Sequence, residues 1–354
     1  MSRFFSKRHD ALTPYTPGEQ PRDMQYVKLN TNESPFPPSP AVAAAVAGQC
    51  GKLQLYSDPE NTALREKLAQ LYGVKPQQVL VANGSDDILN FAFMAFADED
   101  APLIFPDITY GFYPVFARLH HIPYTCAALR EDFSIDPADY RDCGKTVVIA
   151  NPNAPTGLCL PLSDIESIVR SNPDRVVIID EAYVDFGAQS VIGLTRKYDN
   201  LLVTGTFSKS RSLAGARLGF GIGCKELIRD LNTIKYSTNP YNVNRMTMAA
   251  GVGTLLDEPY VRENCQKVMQ VRQWTARQLQ ALGFELTDSK ANFLFARHPQ
   301  ADGKQIYLQL KKKGVLIRHF DTPRLCQYNR ITVGSREQME IFLEKLKEVL
   351  EELP

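Results

Sequence analysis

The chain has 354 residues, 44% of them hydrophobic, enough to bury a large core divided over about two domains. Forty basic side chains balance forty acidic ones, so no single-sign field points to nucleic acid or an anionic membrane, and any bound anion must be held locally. The seven cysteines are odd in number, scattered and never form CxxC, which argues against a disulfide framework and a zinc site.

The N-terminal MSRFFSKRHDALTPY has neither the apolar core nor the cleavage site of a signal peptide, and no apolar run approaches ~20 residues, so a soluble cytoplasmic protein is expected. Residues 1–35, rich in Pro, Tyr and Asn, read as an arm with little core of its own, joining a small domain. Six β-rich runs follow: QVLVAN (78–83), PLIF (102–105), TVVIAN (146–151), RVVIID (175–180), NLLVTGTF (200–207) and LGFGIG (218–223). Several are apolar at consecutive positions, as in strands covered on both faces. Helical patterns at 85–98 and 162–172 lie between them. The expected class is α/β: a large domain over 36–258 with a mostly parallel sheet flanked by helices.

From 259 the pattern changes to a smaller α+β domain, 259–354. A long helix is expected over about 259–282, with Val261, Cys265, Val268, Val271, Thr275, Leu279 and Leu282 at helical spacing. Short strands at 291–296, 314–318 and 329–333 precede a final amphipathic helix carrying Met339, Phe342, Leu343, Leu346, Val349, Leu350 and Leu353.

Open α/β sheets bind ligands at the carboxyl ends of their strands. Four polar clusters fall at such ends: Asn83-Gly84-Ser85-Asp86, Asn151-Pro152-Asn153, Asp180-Glu181-Ala182-Tyr183 and Ser208-Lys209. Singly, each has an ordinary explanation: an N-cap with acidic first turn, a surface turn, a solvated lysine. Together they offer helix amides for an anion, a buried carboxylate, a phenol and an amine nucleophile. Arg217, eight residues after Lys209, can reach the same anion. Pyridoxal phosphate requires this set: a Schiff-base lysine, an acid for the pyridinium nitrogen and a phosphate cup.

The motifs LNTNESPFPPSP (29–40), YSDPENTALREKLAQLYGV (56–74), NGSDD, PDITYGFY (106–113), NPNAPTG (151–157), DEAYVDF (180–186), TFSKSRSLAGARLG (206–219), PYNVN (240–244) and RITVGS (330–335) appear in one order along the whole chain. In this the chain resembles the fold-type I aminotransferases and, among them, the histidinol-phosphate aminotransferase family. The resemblance implies pyridoxal 5'-phosphate as cofactor and Lys209 as the catalytic lysine. It implies that Asp180 meets the pyridine nitrogen, Tyr183 the phenolic oxygen and Tyr110 the ring face. Ser85, Asp86, Thr206, Ser208 and Arg217 would hold the phosphate, joined by Tyr56 from a partner subunit, so a homodimer is implied. Arg330 and Arg318 would take the substrate's anionic group, under an arm carrying Tyr15 and Asn32. The implied substrates are L-histidinol phosphate as amino donor and 2-oxoglutarate, with aromatic amino-acid transamination or threonine-phosphate decarboxylation as alternatives on the same fold. Intact Lys209, Asp180, Tyr183 and Arg217 speak against a non-catalytic binding protein.

One position departs from the family. Its usual NPNNPTG places an asparagine where this chain has Ala154, and Asn153 or Tyr183 alone is left to serve the cofactor's phenolic oxygen. Other motifs carry no chemistry: GFGIG (219–223) is not a dinucleotide loop opening a helix, no P-loop or Ser/His/Asp elbow occurs, and His120-His121 lacks metal-ligand spacing.

Overall fold

The computed structural model describes residues 2–353. In chain order its strands are β1 (Val27–Lys28), β2 (Val79–Ala82), β3 (Leu103–Pro106), β4 (Tyr124–Ala127), β5 (Thr146–Ala150), β6 (Val177–Asp180), β7 (Leu201–Thr206), β8 (Gly219–Ile222), β9 (Glu285–Leu286), β10 (Phe293–Arg297), β11 (Val315–Leu316), β12 (Arg318–His319) and β13 (Tyr328–Thr332). The α-helices are α1 (Pro40–Ala47), α2 (Thr62–Tyr72), α3 (Gly84–Phe96), α4 (Tyr113–Leu119), α5 (Leu162–Ser171), α6 (Lys225–Thr238), α7 (Arg245–Leu255), α8 (Glu258–Ala281), α9 (Gly303–Lys312) and α10 (Arg336–Glu352).

Seven strands form the main sheet in the order β2-β8-β7-β6-β5-β3-β4. All pairs are parallel except those of β8, which runs against both β2 and β7. The consecutive apolar residues of these strands divide between two cores. Val79, Val81, Val147, Ile149, Val177, Ile179, Leu201 and Val203 face one layer of helices. Leu80, Ala82, Val148, Ile178 and Leu202 face the other, with α3, α4 and α6. Each such Val, Ile or Leu contributes about 1.5–3 kcal/mol by burial, so polar side chains gather mainly at the sheet's ends. β4 was not expected, because its residues are largely exposed at the sheet's edge and carry no continuous apolar run.

A second sheet, β12-β13-β10-β9, is antiparallel. It packs with α8, α9 and α10 around a third core that includes Val268, Leu294, Ile306, Ile331 and Phe342. Ser335 caps α10, its hydroxyl on the Gln338 amide while Gln338 reaches back to Ser335 N–H. The N-terminal segment enters this half: β1 pairs in parallel with β11, and Leu29 joins its core.

One close approach fixes the site's floor. A Cβ on Gly219, the first residue of β8, would lie 2.2 Å from the Gly84 carbonyl carbon and 2.3 Å from Ser85 N. Glycine therefore lets the start of α3 sit directly against β8. Gly219→Ala is expected to lower stability by about 1–3 kcal/mol through overpacking and to weaken anion binding at the start of α3; an unchanged urea midpoint would contradict this packing.

Candidate active site

The ends of β2, β3, β5, β6 and β7 and the start of β8 lie on one edge of the main sheet. A cleft there is lined by Ser85, Asp86, Tyr110, Ala154, Asp180, Tyr183, Thr206, Ser208, Lys209 and Arg217, a concave site with convergent polar groups. A larger cleft opens elsewhere, lined by residues including Arg130, Cys159 and Tyr328, and contains neither Lys209 nor Asp180.

Asp180 closes β6 and is 4% exposed. Its Oδ2 accepts from the Tyr113 hydroxyl at 2.9 Å, and its Oδ1 accepts from Thr204 Oγ1 at 3.2 Å and from Ala182 N–H at 3.3 Å. Thr204 is the register partner of Asp180 on β7. Burial pushes the carboxyl up to about 6, against the lowering effect of these donors. No cation faces it among its described hydrogen-bond partners, so a cationic nitrogen in the cleft would complete it.

Lys209 follows β7 by way of Phe207 and Ser208. Its Nζ donates to the Thr31 carbonyl at 3.3 Å and lies 5.8 Å from the centre of the Tyr183 ring. Burial, and then the charge of Arg330, pull its pKa down to about 8, so about a tenth of the amine is uncharged at pH 7, far more than for a surface lysine.

At the start of α3, Ser85 and Asp86 line the cleft, and the first amides of a helix have no partner within it. Asp86 meanwhile accepts from Tyr110 Oη at 2.8 Å and from Arg217 Nη2 at 2.7 Å. Arg217 holds a left-handed backbone, φ +52°, an unusual conformation for a side chain of this kind. Gly84 sits at φ +78°, a backbone that favours glycine, and a Cβ there would lie 2.7 Å from Arg217 Nη2 and push the guanidinium aside. Thr206 and Ser208 hydroxyls lie 3.1 Å apart on the same wall. Amides, hydroxyls and a guanidinium at one end, a buried carboxylate at the other and a partly deprotonated lysine between them suit a phosphorylated pyridine aldehyde.

On the small sheet, Arg318 of β12 and Arg330 of β13 are direct register partners, so their side chains leave the same face. Arg330 Nη2 donates to the Asn30 carbonyl at 3.0 Å, while its Nε is buried without a partner. Its guanidinium centre lies 5.4 Å over Phe293 and 5.9 Å over Phe320, with Arg318 5.8 Å over Phe320. Burial holds the Arg330 pKa below its ordinary value. An unmet donor beside a second guanidinium is a place for an anion. Tyr15 of the arm stacks on Phe112 at 4.3 Å and approaches Tyr110 at 6.3 Å. Tyr56 lies outside the cleft, 79% exposed, stacked on Tyr241 at 4.5 Å.

Two expectations need correction. Asn153 does not face the Lys209 cleft: its Nδ2 donates to the Ile108 carbonyl at 2.9 Å and to Thr156 at 3.3 Å, and its Oδ1 accepts from Thr109 at 2.8 Å. Its amide is consumed in bracing loops, and Ala154 presents the cleft wall instead. Asn32 is likewise not among the residues lining the cleft: it is 1% exposed, donates to Tyr183 Oη at 3.0 Å and accepts from Thr332 at 3.0 Å. Sequence reasoning missed Tyr113 and Thr204, which hold Asp180, and the Thr31 carbonyl. Only the cross-strand register could have pointed to Thr204.

The depressed lysine has a stability consequence. Folding lowers its pKa from 10.5 to about 8, so the penalty for burying its charge is full below pH 8 and gone above pH 10.5. Lys209→Met is therefore expected to stabilise the cofactor-free protein by about 2 kcal/mol at pH 7, with the gain fading as pH rises through that window. A gain in Tm that does not vary with pH would contradict it.

The model of the aminotransferase class I and II family matches residues 24–346. The chain is 47% identical over 352 residues to the histidinol-phosphate aminotransferase of Brachyspira hyodysenteriae, covering 99% of each chain. It is 45% identical over 354 residues to that of Clostridium botulinum, covering the whole of both. Among solved structures, the histidinol-phosphate aminotransferase of Sinorhizobium meliloti in complex with pyridoxal-5'-phosphate is similar in fold, with a TM-score of 0.85 at 24% identity over 93% of this chain and 92% of that one. The Clostridium acetobutylicum enzyme has a TM-score of 0.84 at 24% identity over 92% of this chain and 99% of that one. With this match over nearly its full length and with a lysine and a buried aspartate lining one cleft, the chain belongs to the aminotransferase class I and II family and is a pyridoxal-phosphate-dependent transaminase.

Proposed function

We propose that the chain transaminates L-histidinol phosphate with 2-oxoglutarate, yielding imidazole acetol phosphate and glutamate, as a cytoplasmic homodimer in histidine biosynthesis. The observation that carries the substrate reading is the Arg318–Arg330 pair, with the unpartnered Nε of Arg330. Two guanidiniums suit a phosphate dianion and also accept the carboxylate of 2-oxoglutarate in the other half of the cycle. The curated relatives that match over the full chain are named histidinol-phosphate aminotransferases, which supports the amino-donor part of this reading.

Bound pyridoxal phosphate supplies an electron sink that renders a substrate's α-hydrogen acidic. Each surrounding residue has a separate task. Asp180, kept dry by its burial and steadied by Tyr113 and Thr204, would pair with the protonated pyridine nitrogen. The amides of Ser85 and Asp86, the hydroxyls of Thr206 and Ser208, and Arg217 would hold the phosphate, with Arg217 shared between it and Asp86. Tyr110 would cover the ring, and Tyr183 would donate to the phenolic oxygen. Lys209 would attach the cofactor and, once displaced by the substrate amine, take the proton from the substrate's α-carbon; a pKa of about 8 suits an amine that must both accept and return it. Tyr15, stacked on Phe112, would close the arm over the substrate and exclude water.

The homodimer reading rests on Tyr56. Together with Leu53 and Leu55, 59% and 57% exposed, it forms an apolar surface that a single chain leaves uncovered. The domain reading is an arm, residues 1–35, a cofactor-binding body, 36–258, and a smaller domain, 259–354.

Adding L-histidinol phosphate to the pyridoxal-phosphate-loaded protein is expected to abolish its visible band and produce the pyridoxamine form, while Lys209→Ala does neither. A band that ignores histidinol phosphate but responds to aromatic amino acids or threonine phosphate would overturn the substrate assignment. Arg330→Gln is expected to raise KM for histidinol phosphate about 10- to 100-fold, the loss of one or two charge-assisted hydrogen bonds. An unchanged KM would place the anion site elsewhere.

A further inference from the structure

Asn32 is 1% exposed and sits at φ +54°, a left-handed conformation that asparagine tolerates better than most residues. Its surroundings determine which way its amide points. Thr332 Oγ1 accepts the Asn32 backbone N–H at 2.9 Å, so the hydroxyl's own hydrogen goes to Asn32 Oδ1, 3.0 Å away. The Asn32 carbonyl in turn accepts from Asn292 Nδ2 at 3.0 Å. With Oδ1 committed, Nδ2 must face Tyr183, where it donates to Oη at 3.0 Å.

The phenol is thereby left with one direction for its hydrogen. Its ring is fixed edge-to-face on Phe293, at 5.1 Å and 88°, and an incoming donor already occupies one side of its oxygen. Its hydrogen is free to point into the cleft. On the neighbouring wall Ala154 brings no donor, and the Asn153 amide is held by Ile108, Thr109 and Thr156. Tyr183 is thus the phenol donor for that side of the cleft.

We propose that Asn32 is a positioning residue that acts through Tyr183: by donating to Oη it orients the phenol hydrogen toward the cofactor's phenolic oxygen and strengthens it as a donor, compensating for the absence of a side-chain amide at Ala154. The inference rests on the cofactor reading above. A hydrogen bond received by a hydroxyl polarises the one it gives. Burial raises the Tyr183 pKa and keeps the phenol protonated, while Arg330 and then Asn32 oppose that rise in part. Because Thr332 lies in β13 and Asn292 just before β10, the phenol's orientation depends on the arm and small sheet being docked.

The test is a spectrophotometric pH titration of the visible band of the pyridoxal-phosphate-loaded protein, in wild type, Asn32→Gly, Tyr183→Phe and the double variant. Glycine adopts the left-handed backbone without strain, and Asn32→Asp serves as a second probe that keeps the volume but cannot donate. Asn32→Gly is expected to raise the midpoint by about half a pH unit, as the loss of one neutral hydrogen bond allows, and to leave it unshifted in the Tyr183→Phe background. An unshifted midpoint for both Asn32 variants, or equal shifts in both backgrounds, would overturn the proposal. A wild-type protein with no visible band would overturn the cofactor reading itself, and the proposal with it.

Discussion

The cleft is organised around one costly constraint, a carboxylate buried at the end of a strand without a cation of its own. Asp180 is kept in place by two hydroxyls and an amide, and burial still raises its pKa to about 6. The main sheet tolerates such a group because it sits at a strand end, where neighbouring hydroxyls and an amide meet its oxygens beside the apolar strand cores. Lys209, one strand over and also desolvated, presents the complementary problem, an amine that loses its proton more readily than a surface lysine. A ligand carrying a cationic nitrogen, an electrophilic carbon and a phosphate would relieve both strains and occupy the free amides of α3. Stability is given up at this site in exchange for that affinity.

Much of this was legible in the sequence because the signals were local. Runs such as VVIID and LLVTGTF are apolar beyond any alternation, and their ends mark where polar chemistry must gather. Asp180, Lys209 and Arg217 were identifiable from position relative to those ends, and the long periodic helices α8 and α10 from their spacing. What escaped was non-local. Thr204 matters only because register sets it beside Asp180, and Tyr113 only because α4 delivers its hydroxyl there. β4, exposed on an edge, had no burial pattern to read.

The NPNAPTG segment shows the same limit within a single motif. Adjacent residues in a tight loop point in unrelated directions, so Asn153 could not substitute for a side chain at position 154; its amide is turned toward Ile108 and Thr156. The arm's motif points to Asn32 but not to its hydrogen-bond partners, because sequence says nothing of which groups satisfy an amide. Once those partners are known, the arm is more than a cover. Through Thr31 it touches Lys209, through Asn32 it holds Tyr183, and through Asn30 it receives Arg330. Lys209, Tyr183 and Arg330 are thus tied to one short stretch of chain, residues 30–32.

The central claim is that the lysine after β7 is the one that carries the cofactor. Borohydride reduction of the pyridoxal-phosphate-loaded protein, followed by peptide mass spectrometry, locates that attachment directly. A single phosphopyridoxyl modification is expected on the peptide containing Lys209; modification of a different lysine, with Lys209 unmodified, would rule out this attachment.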